Sequence, residues 1–310
     1  MLISQPLSAS AKQNARSLDQ CSIVLVTKQK LDGVRICDAK TVRSLAQQGH
    51  VYEQNQMGIA SMLAVGPGYD AAIALRWFEH AAEKGYAPAQ VNLAAMYING
   101  WGTAPNYGVA LRWLLEAANH GYPRAFYNLG LLYQEGLGVR KDPAEALRYF
   151  RKGAEGGDAS SQTNLGYMYD QGIGIAQNMA IASKWYRKAA DEGYAMAQYN
   201  LADLYLRGEG VAQDDTKAFA LFQQAAAQGE TGACIKLGYM YANGRGTTKD
   251  LAKAYSWIMA AAIAGDNRGH DLQTAIESQL SASQRAQAKE NAQKLDANGQ
   301  KVLIARTLQP

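Results

Sequence analysis

Apolar and small side chains recur along this chain at a spacing of four, as in Ala125, Leu129 and Tyr133, which stacks them on one face of an α-helix. Three residues after the tyrosine comes Gly136, and Gly138 follows it with one residue between. Glycine readily takes the left-handed backbone that ends a helix, so this pair predicts a helix stop and a reversing loop. An acidic start then opens a second helical stretch, "DPAEALRYFRKGAEGG". Asp142 is placed to cap its free amides, Pro143 suits the first helical position, and Glu145 is expected to complete a capping box. Ala146, the aromatic pair Tyr149 and Phe150, and the small pair Gly153 and Ala154 predict its buried stripe. The stretch from 127 to 157 therefore reads as a helical hairpin closed by glycine.

The same hairpin repeats. Gly85, Gly121, Gly157, Gly193, Gly229 and Gly265 are each 36 residues apart, and so are Leu93, Leu129, Leu165, Leu201 and Leu237. Tyr97, Tyr133, Tyr169, Tyr205 and Tyr241 keep the same step. The turn glycines do as well: Gly100 and Gly102, Gly136 and Gly138, Gly172 and Gly174, Gly208 and Gly210, Gly244 and Gly246. Asn106, Asp142, Asn178, Asp214 and Asp250 start the second helices, and Ala94, Gly130, Gly166, Ala202 and Gly238 admit a close neighbour beside the leucines. A fixed period of this length predicts an all-α stack of supersecondary units, stabilised by contacts between neighbours.

The units are expected at 51–85, 86–121, 122–157, 158–193, 194–229 and 230–265. In the first, the segment from Gly68 to Trp77 is two residues shorter than from Gly174 to Trp185, which predicts a tighter loop with Leu63 at the tyrosine's place. Residues 39–50 read as an N-terminal capping helix. Residues 266–310 read as a C-terminal helical cap and tail, in which Ser281 and Gln284 mark one helix start and the period fades after 298. Residues 1–38 carry no clear period.

The pattern Ala-x-x-x-Leu-Gly-x-x-Tyr-x-x-Gly-x-Gly, followed by an Asn- or Asp-led helix with an aromatic pair and Ala-Ala-x-x-Gly, resembles the Sel1-like repeat, a relative of the tetratricopeptide repeat. The copy "NLGYMYDQGIGIAQNMAIASKWYRKAADEG" carries it most fully. The resemblance implies a right-handed α-solenoid whose concave face is lined by first helices. It further implies a scaffolding or regulatory binding role, often in bacterial envelope or host-interaction settings.

Composition narrows the chemistry. Hydrophobic residues at 48% and charged ones at 19% suit a folded chain, and a net charge of +4 without a dense basic run gives no indication of nucleic-acid binding. Cys21, Cys37 and Cys234 form no Cys-x-x-Cys pair, although Cys21 and Cys37 have the option of pairing in an exported protein. His50, His80, His120 and His270 show no metal-ligand spacing. His80 and His120 fall near second-helix C-termini, where the helix dipole suits a partly positive ring. "GRGTTK" places Gly244 and Gly246 in the turn columns and is not followed by the Gly-Lys-Ser/Thr of a phosphate loop. The expectation is therefore no catalytic residue, no metal and no cofactor. No apolar run reaches the length of a membrane span. The chain is expected to be soluble, cytoplasmic if complete and periplasmic or secreted if a leader has been removed.

Two surfaces are candidates for binding. Asn92, Asn128, Asn164 and Asn200 form a column continued by Lys236, one residue before the core leucines. An amide ladder offers donors and acceptors to the backbone of an extended peptide, or else bonds neighbouring helices. Both readings stay open. Beside it runs a varied row that includes Tyr167, Asp203 and Tyr239, with Arg207 one turn on, as expected of positions that set specificity. On the second helices Arg76, Arg112, Arg148 and Lys184 form a basic ladder, suited to an acidic partner, to membrane headgroups or simply to solvent. The expected function is a non-catalytic scaffold, adaptor or regulator that binds a protein or peptide segment in its concave groove. Alternatives are an envelope or secretion-associated inhibitor of a cognate enzyme, and a glycan-binding or hydrolytic protein with the groove as a cleft.

Overall fold

A computed structural model describes residues 39–63 and 70–306, with side chains described from 42 to 62 and from 70 to 295. The expectations for residues 1–38, including a Cys21–Cys37 pair, lie outside the described residues. Fifteen α-helices and no strand occur among those described: α1 (Ala39–Gln47), α2 (Val51–Leu63), α3 (Ala71–Glu83), α4 (Ala87–Asn99), α5 (Tyr107–Asn119), α6 (Pro123–Glu135), α7 (Pro143–Glu155), α8 (Ala159–Gln171), α9 (Met179–Asp191), α10 (Ala195–Arg207), α11 (Asp215–Ala226), α12 (Thr231–Asn243), α13 (Leu251–Ile263), α14 (His270–Glu277) and α15 (Ala282–Arg306). They divide into two compact units, one ending at Gly156 and one spanning Gly157–Arg306. In the first unit α2 pairs with α3, α4 with α5 and α6 with α7, and each hairpin packs on the next. In the second, α8 pairs with α9, α10 with α11 and α12 with α13, and α14 and α15 pack on α13.

The core of each hairpin is one large side chain set into one gap. Phe78, Leu114, Phe150, Tyr186, Phe222 and Ile258 stand at one repeat position and are at most 1% exposed. Opposite them the first helix carries glycine or alanine. A methyl group added to Gly58 would lie 2.5 Å from the Phe78 ring, one on Gly130 2.6 Å from Phe150, and one on Gly166 2.7 Å from Tyr186. Full burial of such a side chain contributes about 1.5–3 kcal/mol, and the missing Cβ makes the approach possible.

The loop between the paired helices is closed by backbone. The amide of the second-helix cap donates to the carbonyl of the column tyrosine: Asn106 to Tyr97 and Asp142 to Tyr133 at 2.8 Å, and Asp214 to Tyr205 at 3.0 Å. The same residue's side chain caps the second helix, as when Asp142 Oδ1 accepts from the amides of Ala144 and Glu145 at 2.9 and 3.1 Å. This arrangement corrects the expected capping box. The Asp142 amide is already taken by Tyr133, so Glu145 turns instead to Arg148, with Nη2 to Oε2 at 2.6 Å.

The same bond corrects the first unit. Asp70 donates its amide to Ser61 at 3.2 Å, so Ser61, not Leu63, holds the tyrosine's place. The nine-residue step from Ser61 to Asp70 equals that from Tyr97 to Asn106, and the loop is therefore no shorter. The misreading came from Gly68, where Gly66 keeps the 36-residue register with Gly102. At the other end α15 continues through Arg306, beyond 298 where the sequence pattern fades. Its start is the expected capping box: the Ser281 amide donates to Gln284 Oε1 at 3.0 Å and the Gln284 amide to Ser281 Oγ at 3.2 Å.

The two turn glycines do different work. Gly208, at φ 71°, ends α10. Gly210, at φ 69°, presses on the preceding second helix, and a Cβ there would lie 2.3 Å from the backbone of Met179. Gly102 and Gly246 stand likewise against Ala71 and Asp215. Gly208→Ala is expected to cost about 1–2 kcal/mol from the left-handed backbone alone. Gly210→Ala adds the overpacking cost of about 1–3 kcal/mol, and urea denaturation of the two variants measures the difference.

Past α13, Asp266 accepts from Thr231 Oγ1 at 2.9 Å and from Arg268 Nε and Nη2 at 2.9 and 2.5 Å. The Arg268 guanidinium holds its carboxyl down at about 2. A depressed carboxyl contributes stability above its unfolded value of 3.8 and loses it as pH falls toward 2. Because Arg268 is exposed, the contribution is at most about 1–2 kcal/mol. Asp266→Asn is expected to flatten that part of the acid-unfolding curve, as read by circular dichroism.

Candidate functional site

First helices carry the candidate residues because their buried stripe fixes which side points away from it. Leu93, Leu129, Leu165, Leu201 and Leu237 are at most 3% exposed, and the residue before each is rotated to the edge of that stripe. Asn92, Asn128, Asn164, Asn200 and Lys236 are all half-buried there. Their partners differ. Asn92 Nδ2 donates to Asn55 Oδ1 on α2 at 2.9 Å, which ties neighbouring repeats. Asn128 and Asn164 donate to carbonyls one turn back in their own helices, Arg124 at 3.2 Å and Ser160 at 3.0 Å. Asn200 makes no side-chain hydrogen bond among the described residues. The 36-residue register places Gln56, which is buried, at the same position in the first repeat.

In the second unit the varied row and the column converge. Tyr167 on α8 and Tyr239 on α12 are 45% and 42% exposed. Asp203, at the equivalent place on α10, accepts from Lys236 Nζ at 2.7 Å and from Arg207 Nε at 2.8 Å. Arg207 also pairs with Glu209. Five sequence-predicted residues thus lie on three successive first helices, three of them in one ion-pair network. Tyr199 lies at its inner edge, where burial pushes its phenol up while Lys236 pulls the other way. Glu230 caps α12 through the Gly232 amide at 3.2 Å. Burial raises its carboxyl, opposed by that amide and by Arg268. Among the described residues no three His, Cys, Asp or Glu side chains gather as a metal site.

The basic ladder of the second helices is partly engaged. Arg112 lies 5.8 Å from the Trp113 ring centre and Arg148 4.7 Å from Tyr149. Nearby, Lys188 sits 4.2 Å over Trp185, and Arg187 donates to Tyr205 Oη at 2.9 Å. Arg112, Arg148 and Lys188 thus sit over ring faces. Arg76 and Lys184 are exposed.

A glutamine column was missed by sequence reasoning. Gln54 Nε2 donates to the Ala46 carbonyl at 3.1 Å and Gln90 Nε2 to Ala82 at 3.2 Å, while Gln198 Nε2 reaches Ala190 at 3.4 Å. Each adds a second donor to a carbonyl at the end of the preceding helix that already accepts from the turn glycine, as Ala82 does from Gly85 at 2.9 Å. Gln54, Gln90, Gln162 and Gln198 keep the period, but Phe126 and Cys234 interrupt it. Asp170 was also unanticipated: it is buried, and its Oδ2 accepts from Tyr186 Oη at 3.3 Å.

No helix among the described residues is long and apolar enough to cross a membrane. Comparison with known proteins places this geometry in context. The model of the Sel1 repeat matches residues 54–86, 87–122, 123–158, 159–194, 195–230 and 231–266. A solved Sel1 repeat protein from Oxalobacter formigenes is 32% identical, with a TM-score of 0.61, covering 69% of this chain and 86% of its own. A protective antigen of uropathogenic Escherichia coli is 28% identical, with a TM-score of 0.52 over 86% of this chain, which spans 65% of the antigen's length. An immunity protein from Pseudomonas aeruginosa is 20% identical, with a TM-score of 0.49, covering 85% of this chain and 84% of its own. No curated protein matches the chain. With six consecutive matches that span most of its length, the chain belongs to the Sel1 repeat family.

Proposed function

We propose that this chain is a non-catalytic interaction module that binds another protein, as an extended segment or a small domain, on the first-helix face of its second unit. The observation that carries the reading is the exposure of Tyr167 and Tyr239, at 45% and 42%, two residues beyond leucines that are at most 1% exposed. Large aromatic side chains held on rigid helices supply contact area at little entropic cost, and such residues dominate binding energy in protein interfaces. The ion-pair network of Lys236, Asp203 and Arg207 lies between them and supplies a polar rim. An adaptor or regulatory role is the use we infer for such a surface, argued from these side chains and not from the fold alone.

Affinity capture from native extract, read by mass spectrometry, tests the reading. Tyr167→Ala with Tyr239→Ala is expected to keep its helicity and to shift stability by no more than about 0.5 kcal/mol, while capture of the partner falls by about tenfold or more. Equal capture by wild type and the folded variant would remove the tyrosines from the interface. The amide column divides further. Asn92→Ala leaves Asn55 Oδ1 without its donor and is expected to cost about 1–3 kcal/mol. Asn200→Ala breaks no side-chain hydrogen bond among the described residues, so it is expected to leave stability unchanged and weaken capture.

A further inference from the structure

In the second unit a cavity of about 290 Å³ opens between α10 and α12. Leu206, Ile235 and Met240 form its apolar walls, with the Tyr239 ring beside them and Lys236 and Arg245 at its rim. Ligand clefts for small molecules begin at about 300 Å³ and extend to about 1,000 Å³. This one is therefore sized for a single large side chain.

Two cations and no carboxylate line the cavity. Each rim cation is paired with a carboxylate outside the lining, Lys236 with Asp203 and Arg245 with Asp215. Arg245 is held rigidly: its Nε and Nη2 meet both Asp215 oxygens at 3.0 and 2.7 Å, and Nη2 also reaches the Leu206 carbonyl at 3.3 Å. Its Nη1 has no acceptor among the described residues, and Lys236 gives one of its three donors to Asp203. A guanidinium fixed by a bidentate pair, with an edge left over, is preorganised to receive a second acidic group.

We infer that this cavity is an anchor subsite of the proposed protein-binding face, taking a phenylalanine- or leucine-sized side chain of a partner segment that carries an acidic residue next to it. The inference rests on the protein-binding reading and adds the chemistry of the bound segment. Apolar walls favour the side chain, and a carboxylate on the neighbouring residue meets Arg245 Nη1 and Lys236 Nζ. A basic neighbour has no acceptor to meet these donors, so selectivity comes from hydrogen bonds that only an acidic neighbour accepts.

The test uses the full chain with methyl-labelled methionine and isoleucine, followed by NMR. The probes are acetyl-Phe-Asp-amide, acetyl-Phe-Lys-amide and octanoate. The expected result is a saturable shift of the Met240 and Ile235 methyl signals with acetyl-Phe-Asp-amide, at least about fivefold weaker with acetyl-Phe-Lys-amide. Arg245→Gln should bring the two dipeptides together. The inference is overturned if Met240 does not move, or if the two dipeptides bind wild type alike. It is also overturned if octanoate binds more tightly than either, which marks an acyl site. Probe-free broadening that grows with protein concentration, which marks a second copy of the chain, overturns it too. Tyr167→Ala, which leaves the cavity untouched, separates the levels: loss of partner capture in that variant with a silent Met240 would sink the subsite and leave the protein-binding reading standing.

Discussion

Each hairpin depends on one backbone hydrogen bond, from the amide of the second-helix cap to the carbonyl of the residue nine positions earlier in the first helix. It satisfies a carbonyl that the end of the first helix leaves orphaned, and it commits the cap residue to one orientation. With its amide engaged, the cap residue's side chain points at the amides of the second helix, as Asp142 does for Ala144 and Glu145. Both ends of the loop are then fixed, and the second glycine can press onto the preceding second helix, as Gly210 does on Met179. Helix pairing inside a repeat and stacking between repeats follow from the same few atoms.

That economy explains how much of the fold was legible. A φ near +70° at Gly100 or Gly208 restricts residue type, so the glycines wrote their period into the sequence. A glycine opposite Phe150 or Tyr186 is equally constrained by space. The closing bond is not legible, because any residue but proline has the same amide and carbonyl. Ser61 holds the tyrosine's place without resembling it. The triplet Gly66-Pro67-Gly68 then offered two registers, and the composition favoured the wrong one. The glutamine column had a readable period, but Phe126 and Cys234 break it because capping a carbonyl can be dispensed with in some repeats.

The candidate site was legible as columns and not as contacts. Sequence periodicity pairs residues 36 apart, whereas the ion pair of Lys236 with Asp203 joins residues 33 apart. A contact between adjacent repeats runs diagonally, about one helical turn off the column, because the long side chains reach along the helix axis. Column reading therefore found Lys236 and Asp203 separately and missed that they neutralise each other. The same effect applies to the second helices, where Arg148 was read as a free surface charge. Its guanidinium is engaged by Glu145 and by the Tyr149 ring. Composition shows charge; only packing shows which charge retains an unused donor.

The distribution of the varied row now acquires a physical meaning. At this position the first unit carries Ala95 and Leu131, both half-buried, and the second carries Tyr167, Asp203 and Tyr239. All these helices present the same buried leucine stripe, so the difference does not come from the demands of folding. An exposed tyrosine gains nothing from the core, and two of them around one ion-pair network leave apolar surface in water. In a repeat protein the core terms are shared by every unit, while surface terms belong to each unit alone. At this position the exposed apolar surface falls on Tyr167 and Tyr239, side chains that the core does not use, and this supports the proposed binding face.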